Sequence, residues 1–70
     1  PEGCEKMVTM ITVEQTFYCK DGTRHMFIFE DVSNDDFEFM LNSLKGSYGV
    51  KAVKMVRNAS YAVVDIRLPN

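Results

Sequence analysis

Cys19 and His25 are the first residues in this chain that could do covalent chemistry, and His25 is its single histidine. A catalytic thiol needs an imidazole within hydrogen-bond reach to form its thiolate. The doublet Asp21-Gly22, set between two strand-like runs, predicts a hairpin with a two-residue turn. That register pairs Phe17 with Met26, Tyr18 with His25 and Cys19 with Arg24. It turns Cys19 and His25 to opposite faces, so no nucleophilic pair is expected. Asp35 and Asp36 are adjacent carboxylates, but neighbours in a helix diverge by about 100°. Helix capping accounts for them better than acid–base work. No His, Cys or carboxylate set shows ligand spacing, so neither a metal nor a cofactor is expected. Residues 46–49, "GSYG", lack the Lys and the strand-to-helix setting of a phosphate loop. Asn58-Ala59-Ser60 fits a glycosylation acceptor, yet it reads as a turn in a chain without a secretory signal. The chain is expected not to be an enzyme.

Two binding constellations remain. The middle of the chain carries Glu30, Asp31, Asp35, Asp36 and Glu38, with no Lys or Arg between positions 26 and 44. Phe39 and Asn42 share that stretch. The C-terminal third carries Lys45, Lys51, Lys54, Arg57 and Arg67 against one acid, Asp65. An aromatic ringed by acids can anchor a protein interface with a basic rim, which makes Asp31, Asp35, Asp36, Glu38, Phe39 and Asn42 the candidate partner-binding residues. A basic sheet face with an aromatic can instead bind single-stranded nucleic acid, and Lys51, Lys54, Arg57, Tyr61 and Arg67 are the candidates for that. The net charge of −2 and the pI near 5.2 weigh against it, because nucleic-acid modules have a clear basic excess.

The elements that must position these residues follow from pattern. Met7 to Cys19 is rich in Val, Ile, Thr, Phe and Tyr, which favour a strand. Thr23 to Glu30 is a second strand. It is apolar on both faces, as a central strand is, with Met26 and Ile28 expected beside Phe17 and Val13, and Phe27 and Phe29 beside Thr16 and Glu14. Ser33 to Gly46 reads as a helix. Ser33 is a natural N-cap, Val32 and Phe37 form a hydrophobic staple, and Gly46 suits the C′ position. Phe37, Met40, Leu41 and Leu44 follow the i, i+3, i+4, i+7 rule and predict one inward stripe. Phe39 lies about 200° from Phe37 around such a helix and is expected to be exposed.

Residues 47–49, "SYG", read as a loop. Val50 to Arg57 and Tyr61 to Leu68 are two further strands. A three-residue turn at 58–60 aligns Val50, Ala52, Val56, Ala62, Val64, Ile66 and Leu68 on one face, with Lys54 as the exception. Lys51, Val53, Met55, Arg57, Tyr61, Val63, Asp65 and Arg67 fall on the other.

The expected fold class is α+β: ββαββ, a four-stranded antiparallel sheet with one helix packed on one face. Seventy residues, 46% hydrophobic and 26% charged, make a single small domain (1–70, with 1–6 frayed) and argue against disorder. A domain this small has a thin stability margin and often leans on a partner. No uninterrupted apolar run exceeds the four residues of Met26–Phe29, too short to span a membrane. With no signal-peptide pattern, the default expectation is an intracellular, cytoplasmic protein with Cys4 and Cys19 reduced. The leading expectation for function is a small protein-binding module that occupies a surface of a larger protein or complex. A virus-encoded inhibitor of a host protein would suit its size and acidic helix. A homodimer through the open sheet face is a further expectation.

Overall fold

The computed structural model describes residues 10–69. Cys4, the segment 1–6 expected to be frayed and the start of the expected first strand at Met7 lie outside the described residues. The chain forms β1 (Met10–Tyr18), β2 (Arg24–Ser33), α1 (Asn34–Tyr48), a 3₁₀ turn (Val50–Ala52), β3 (Val53–Arg57) and β4 (Tyr61–Arg67). The α+β class and the ββαββ order hold. The sheet is mixed, not wholly antiparallel. Its order is β2-β1-β4-β3, with β1 and β4 parallel at the centre and the two hairpins antiparallel. The reason is the helix: a long helix laid over the sheet returns the chain to its starting end, so β3 runs in the direction of β2. The second hairpin then docks with β4 inward, where Ala62, Val64 and Ile66 are fully buried.

The loop of the first hairpin is one residue longer than expected, Lys20-Asp21-Gly22. The Cys19 N–H donates to the Thr23 carbonyl (2.8 Å), and the Gly22 N–H donates to the Cys19 carbonyl (3.1 Å). Gly22 takes a φ of 95°, the left-handed residue of a three-residue loop. The Asp21 carboxylate accepts from the Thr23 N–H (3.0 Å) and hydroxyl (2.7 Å), which locks the turn. These bonds hold the Asp21 carboxyl below its ordinary range, the Thr23 N–H contributing most. The strands therefore pair as Thr16–Met26, Phe17–His25 and Tyr18–Arg24. A one-residue slip exchanges the faces of a strand. Phe27 and Phe29 face the helix side, beside Gln15 and Val13, whereas Met26 and Ile28 face the open side, beside Thr16 and Glu14. A bulge follows, where the pairing shifts between Ile11 and Val13. Asp31 there has a φ of 57°, a conformation that Asp tolerates better than most residues.

The second hairpin also corrects its expected register, in the opposite sense. Its loop is Ala59-Ser60, closed by the Asn58 N–H on the Tyr61 carbonyl (2.9 Å). Asn58 Oδ1 accepts from the N–H groups of Ser60 (3.0 Å) and Tyr61 (2.9 Å), an Asx turn that selects the shorter loop. Val53, Met55 and Arg57 consequently join Ile66, Val64 and Ala62 on the helix side, and Lys54 and Val56 join Asp65 and Val63 on the open side.

Helix α1 begins as its sequence dictates. Ser33 Oγ accepts from the Asp36 N–H (3.1 Å). The helix does not stop at Gly46 but continues through Ser47 and Tyr48, and Gly49 (φ 96°) ends it, its N–H on the Lys45 carbonyl (2.9 Å). The expected loop 47–49 is thus mostly helix, because the Tyr48 ring packs edge-on against Phe17 (5.9 Å). Phe37 and Leu41 are buried, with Met40 and Leu44 packed at the margin. Together with Ile11, Val13, Val53, Ala62, Val64 and Ile66 they form one core. Each of these side chains except Ala62 stabilises the fold by roughly 1.5–3 kcal/mol relative to exposure. Val32 packs on the same cluster as Phe37, as the staple predicts.

Candidate protein-binding surface

One helix lies over the sheet and leaves β2 exposed from Arg24 to Asp31. Between α1 and β2 lies an open groove of about 280 Å³, lined by Val13, Gln15, Phe29, Asp31, Val32, Asp36 and Met40. Three local devices build it. The bulge at Asp31 swings that residue to the foot of the helix. The Ser33 cap fixes the first turn, so that Asp36 and Met40, four residues apart, line the same wall. Gln15, buried in the floor, donates to Met40 Sδ (3.0 Å). The result is an apolar trough with two carboxylates at one end.

The expected acidic site divides in two. Asp31 and Asp36 meet at the groove. Asp35, Glu38, Phe39 and Asn42 are exposed on the helix, outside that groove's lining. Phe39 is 74% exposed, against 1% for Phe37, as their angular separation predicts. Tyr48 packs on Phe17. Phe29, Val32 and Met40 belong to the groove and are missing from the sequence-based set. Phe29 was hidden by the hairpin register, and a three-residue reading of Lys20-Asp21-Gly22 would have revealed it.

The expected basic face does not assemble as a unit. Arg57 lies on the helix side, over the Phe37 ring (5.2 Å), and donates to Asn34 Oδ1 (2.6 Å). Lys51 sits in the 3₁₀ turn. Lys54, Tyr61 and Arg67 share the open face, but in register with acids: Lys54 lies beside Asp65, and the Tyr61 hydroxyl donates to Glu14 Oε2 (3.0 Å). That hydrogen bond, with some desolvation and the Glu14 charge, pushes the Tyr61 phenol above its ordinary value. Arg67 stacks on Tyr18 (5.2 Å). The open face also differs from the expected one, since Val53 and Met55 are not on it. Val56, Val63, Met26 and Ile28 supply its apolar area, with Glu14, Thr16 and Asp65 between them.

The corrected register also places Cys19 and His25 toward the same face, through the pairs Cys19–Thr23 and Phe17–His25. His25 is exposed, its cross-strand neighbour is Phe17, and the nearby Asp21 carboxylate is committed to Thr23. Among the described residues no acid orients the imidazole toward the free thiol of Cys19. Among the described residues no group of three or more His, Cys, Asp or Glu could hold a metal ion, and no helix is long and apolar enough to cross a membrane. No protein-family model, curated protein or solved structure matches the chain.

Proposed function

We propose that this chain is a small non-enzymatic protein-binding module that acts by occupying a surface of a larger protein. The observation that carries the reading is the groove between α1 and β2, apolar along its length and bounded by Asp31 and Asp36. Such a site suits an aliphatic or aromatic side chain with a Lys or Arg beside it. The charge map supports that chemistry, because residues 26–44 contain five acids and no Lys or Arg. Asp35, Glu38 and Phe39 extend the acidic, aromatic surface along the helix, so a partner segment that enters the groove meets matching charge on its way in.

A displayed random-peptide library selected on the immobilised protein tests this. Selected peptides should share an apolar anchor beside Lys or Arg. Their affinity should fall roughly ten-fold or more when Asp31→Asn and Asp36→Asn are combined, since each neutralised carboxylate removes a charge-assisted contact. Asn retains the backbone tolerance that position 31 requires. A further loss on Asp35→Lys with Glu38→Lys would extend the site onto the outer helix. Peptides without basic residues, or peptides indifferent to the Asp31/Asp36 change, would sink the proposal.

A further inference from the structure

The sequence writes β2 as an interior strand, and the monomer places it at an edge. Met26, Phe27, Ile28 and Phe29 are 54, 48, 56 and 44% exposed, apolar on both faces. Among the described residues no strand pairs with the outer side of β2. An open, regular, apolar edge is a template for strand pairing, and folded proteins normally blunt such edges with charge, proline or brevity. The opposite edge, β3, is blunted in this way: it is five residues long and carries Lys54 and Arg57. Strand β2 has ten residues, and its one irregularity, at Asp31, comes after the apolar run.

The geometry points to a second copy of this chain as the occupant of that edge. We infer that β2 pairs with its symmetry mate, antiparallel and centred on Phe27, to join two sheets into one. The phase of the outward-pointing backbone groups permits this register. The Cys19-to-Thr23 bond makes Phe17–His25, Gln15–Phe27 and Val13–Phe29 hydrogen-bonded pairs in the alternation of an antiparallel ladder. The N–H and C=O groups of Arg24, Met26, Ile28 and Glu30 therefore point away from β1. Centring on Phe27 sets each outward residue opposite another outward residue: Arg24 opposite the second copy's Glu30, and Met26 opposite its Ile28.

The side chains agree with the backbone. On the open face each apolar pair is flanked by an Arg–Glu pair of opposite charge, and the twofold axis repeats the arrangement. On the helix face Phe27 meets its own copy, and His25 lies opposite Phe29. Shifting the register by one allowed step puts Arg24 opposite Ile28, or Met26 opposite Glu30, and the charge match is lost. The regular stretch from Arg24 to Glu30 is bounded by the hairpin turn and the bulge, and Phe27 is its midpoint. The contact is isologous and closes at two copies. Both helices then lie on the same face of the joined sheet, and β2 becomes the interior strand that its composition describes.

Light scattering on the intact chain, with concentrations up to about 0.2 mM because association follows mass action, reads the outcome directly. The expected mass is twice the 8.0 kDa of one chain. Ile28→Lys should return it to 8.0 kDa, with the far-UV circular dichroism of a folded monomer. Arg24→Glu alone and Glu30→Arg alone should each weaken dimerisation roughly ten-fold or more, because each sets like charges opposite at two symmetric positions. The double variant Arg24→Glu/Glu30→Arg should restore it. That rescue is specific to the Phe27-centred register, and Ile28→Lys provides an independent reading should a charge variant fold poorly. A wild-type chain that stays monomeric overturns the inference. So does a dimer that ignores Ile28→Lys, one that the double charge swap does not rescue, or one that Val56→Lys on the open face splits instead.

Discussion

Phe37 and Phe39 stand two residues apart in one helix, and replacing each by Ala should have opposite consequences. Phe37 is 1% exposed, at the centre of the core, with the Arg57 guanidinium 5.2 Å over its ring. Truncation there costs about 3–5 kcal/mol in lost transfer energy and residual cavity. Loss of the cation–π contact adds roughly 0.5–1 kcal/mol, since Arg57 is only half-buried. At roughly 0.05–0.15 kcal/mol per residue, a chain of this length has about 4–10 kcal/mol of stability, so Phe37→Ala removes a third of it at the least. Each kcal/mol shifts the melting temperature by about 4–8 °C at this size, which puts the expected fall at about 12 °C or more. Phe39 is 74% exposed, and Phe39→Ala should stay within about 0.5 kcal/mol of wild type. Urea unfolding followed by far-UV circular dichroism, at one fixed protein concentration, measures both. If Phe39→Ala costs as much as Phe37→Ala, or if Phe37→Ala is silent, the assignment of inward and outward helix faces is wrong.

Two further outcomes follow from single residues. Gly49 combines φ 96° with ψ 146°, a region that side chains other than Gly rarely enter, so Gly49→Ala should destabilise by about 1–3 kcal/mol although nothing lies within 4 Å of the added Cβ. Gly46→Ala, at a helical position of ordinary φ with the same open space, should stabilise by about 0.5–1 kcal/mol, and the opposite signs in thermal melts are the check. The Tyr61 phenol, raised above 10.0 chiefly by its hydrogen bond to Glu14, should titrate after an unperturbed tyrosine in an ultraviolet pH scan, with Tyr61→Phe identifying its step. Above pH 10.0 the folded state holds a proton that the unfolded state has lost. The contribution of this bond is therefore complete below that pH and disappears as pH rises through the folded pKa. Glu14→Thr should bring the Tyr61 step back toward the ordinary range; an unmoved step would show that another group sets it.

The chain's own residues determined its elements. Ser33 marks the helix start, the spacing of Phe37, Met40, Leu41 and Leu44 marks its buried stripe, and alternation with two turn signals marks the strands. These features are legible because capping, helical period and strand period are local. The exposed Phe39 and the acidic helix were legible for the same reason. Registers and neighbours were not. Asp21-Gly22 is compatible with a two- or a three-residue loop, and the choice rests on hydrogen bonds that Asp21 accepts and Gly22 donates, which pattern does not reveal. That single slip exchanged the faces of Met26, Phe27, Ile28 and Phe29, and it decided that Phe29 and not Ile28 faces the groove. In the second hairpin, the side chain of Asn58 and the stacking of Arg57 on Phe37 settled an equally close choice. Gly46 and Gly49 are both plausible helix ends. The packing of Tyr48 on Phe17, which links residues far apart in the chain, favoured the later one.

Strand order was the largest decision left to tertiary structure. The second hairpin could have docked on β1 or on the outer side of β2, and burial of Ala62, Val64 and Ile66 sets it on β1 with β4 inward. That choice sends β2 to the edge, although its composition is that of an interior strand. The groove and the open edge both exist because of it. A sequence specifies which surfaces are apolar, whereas the arrangement of the strands decides which of those surfaces are left uncovered.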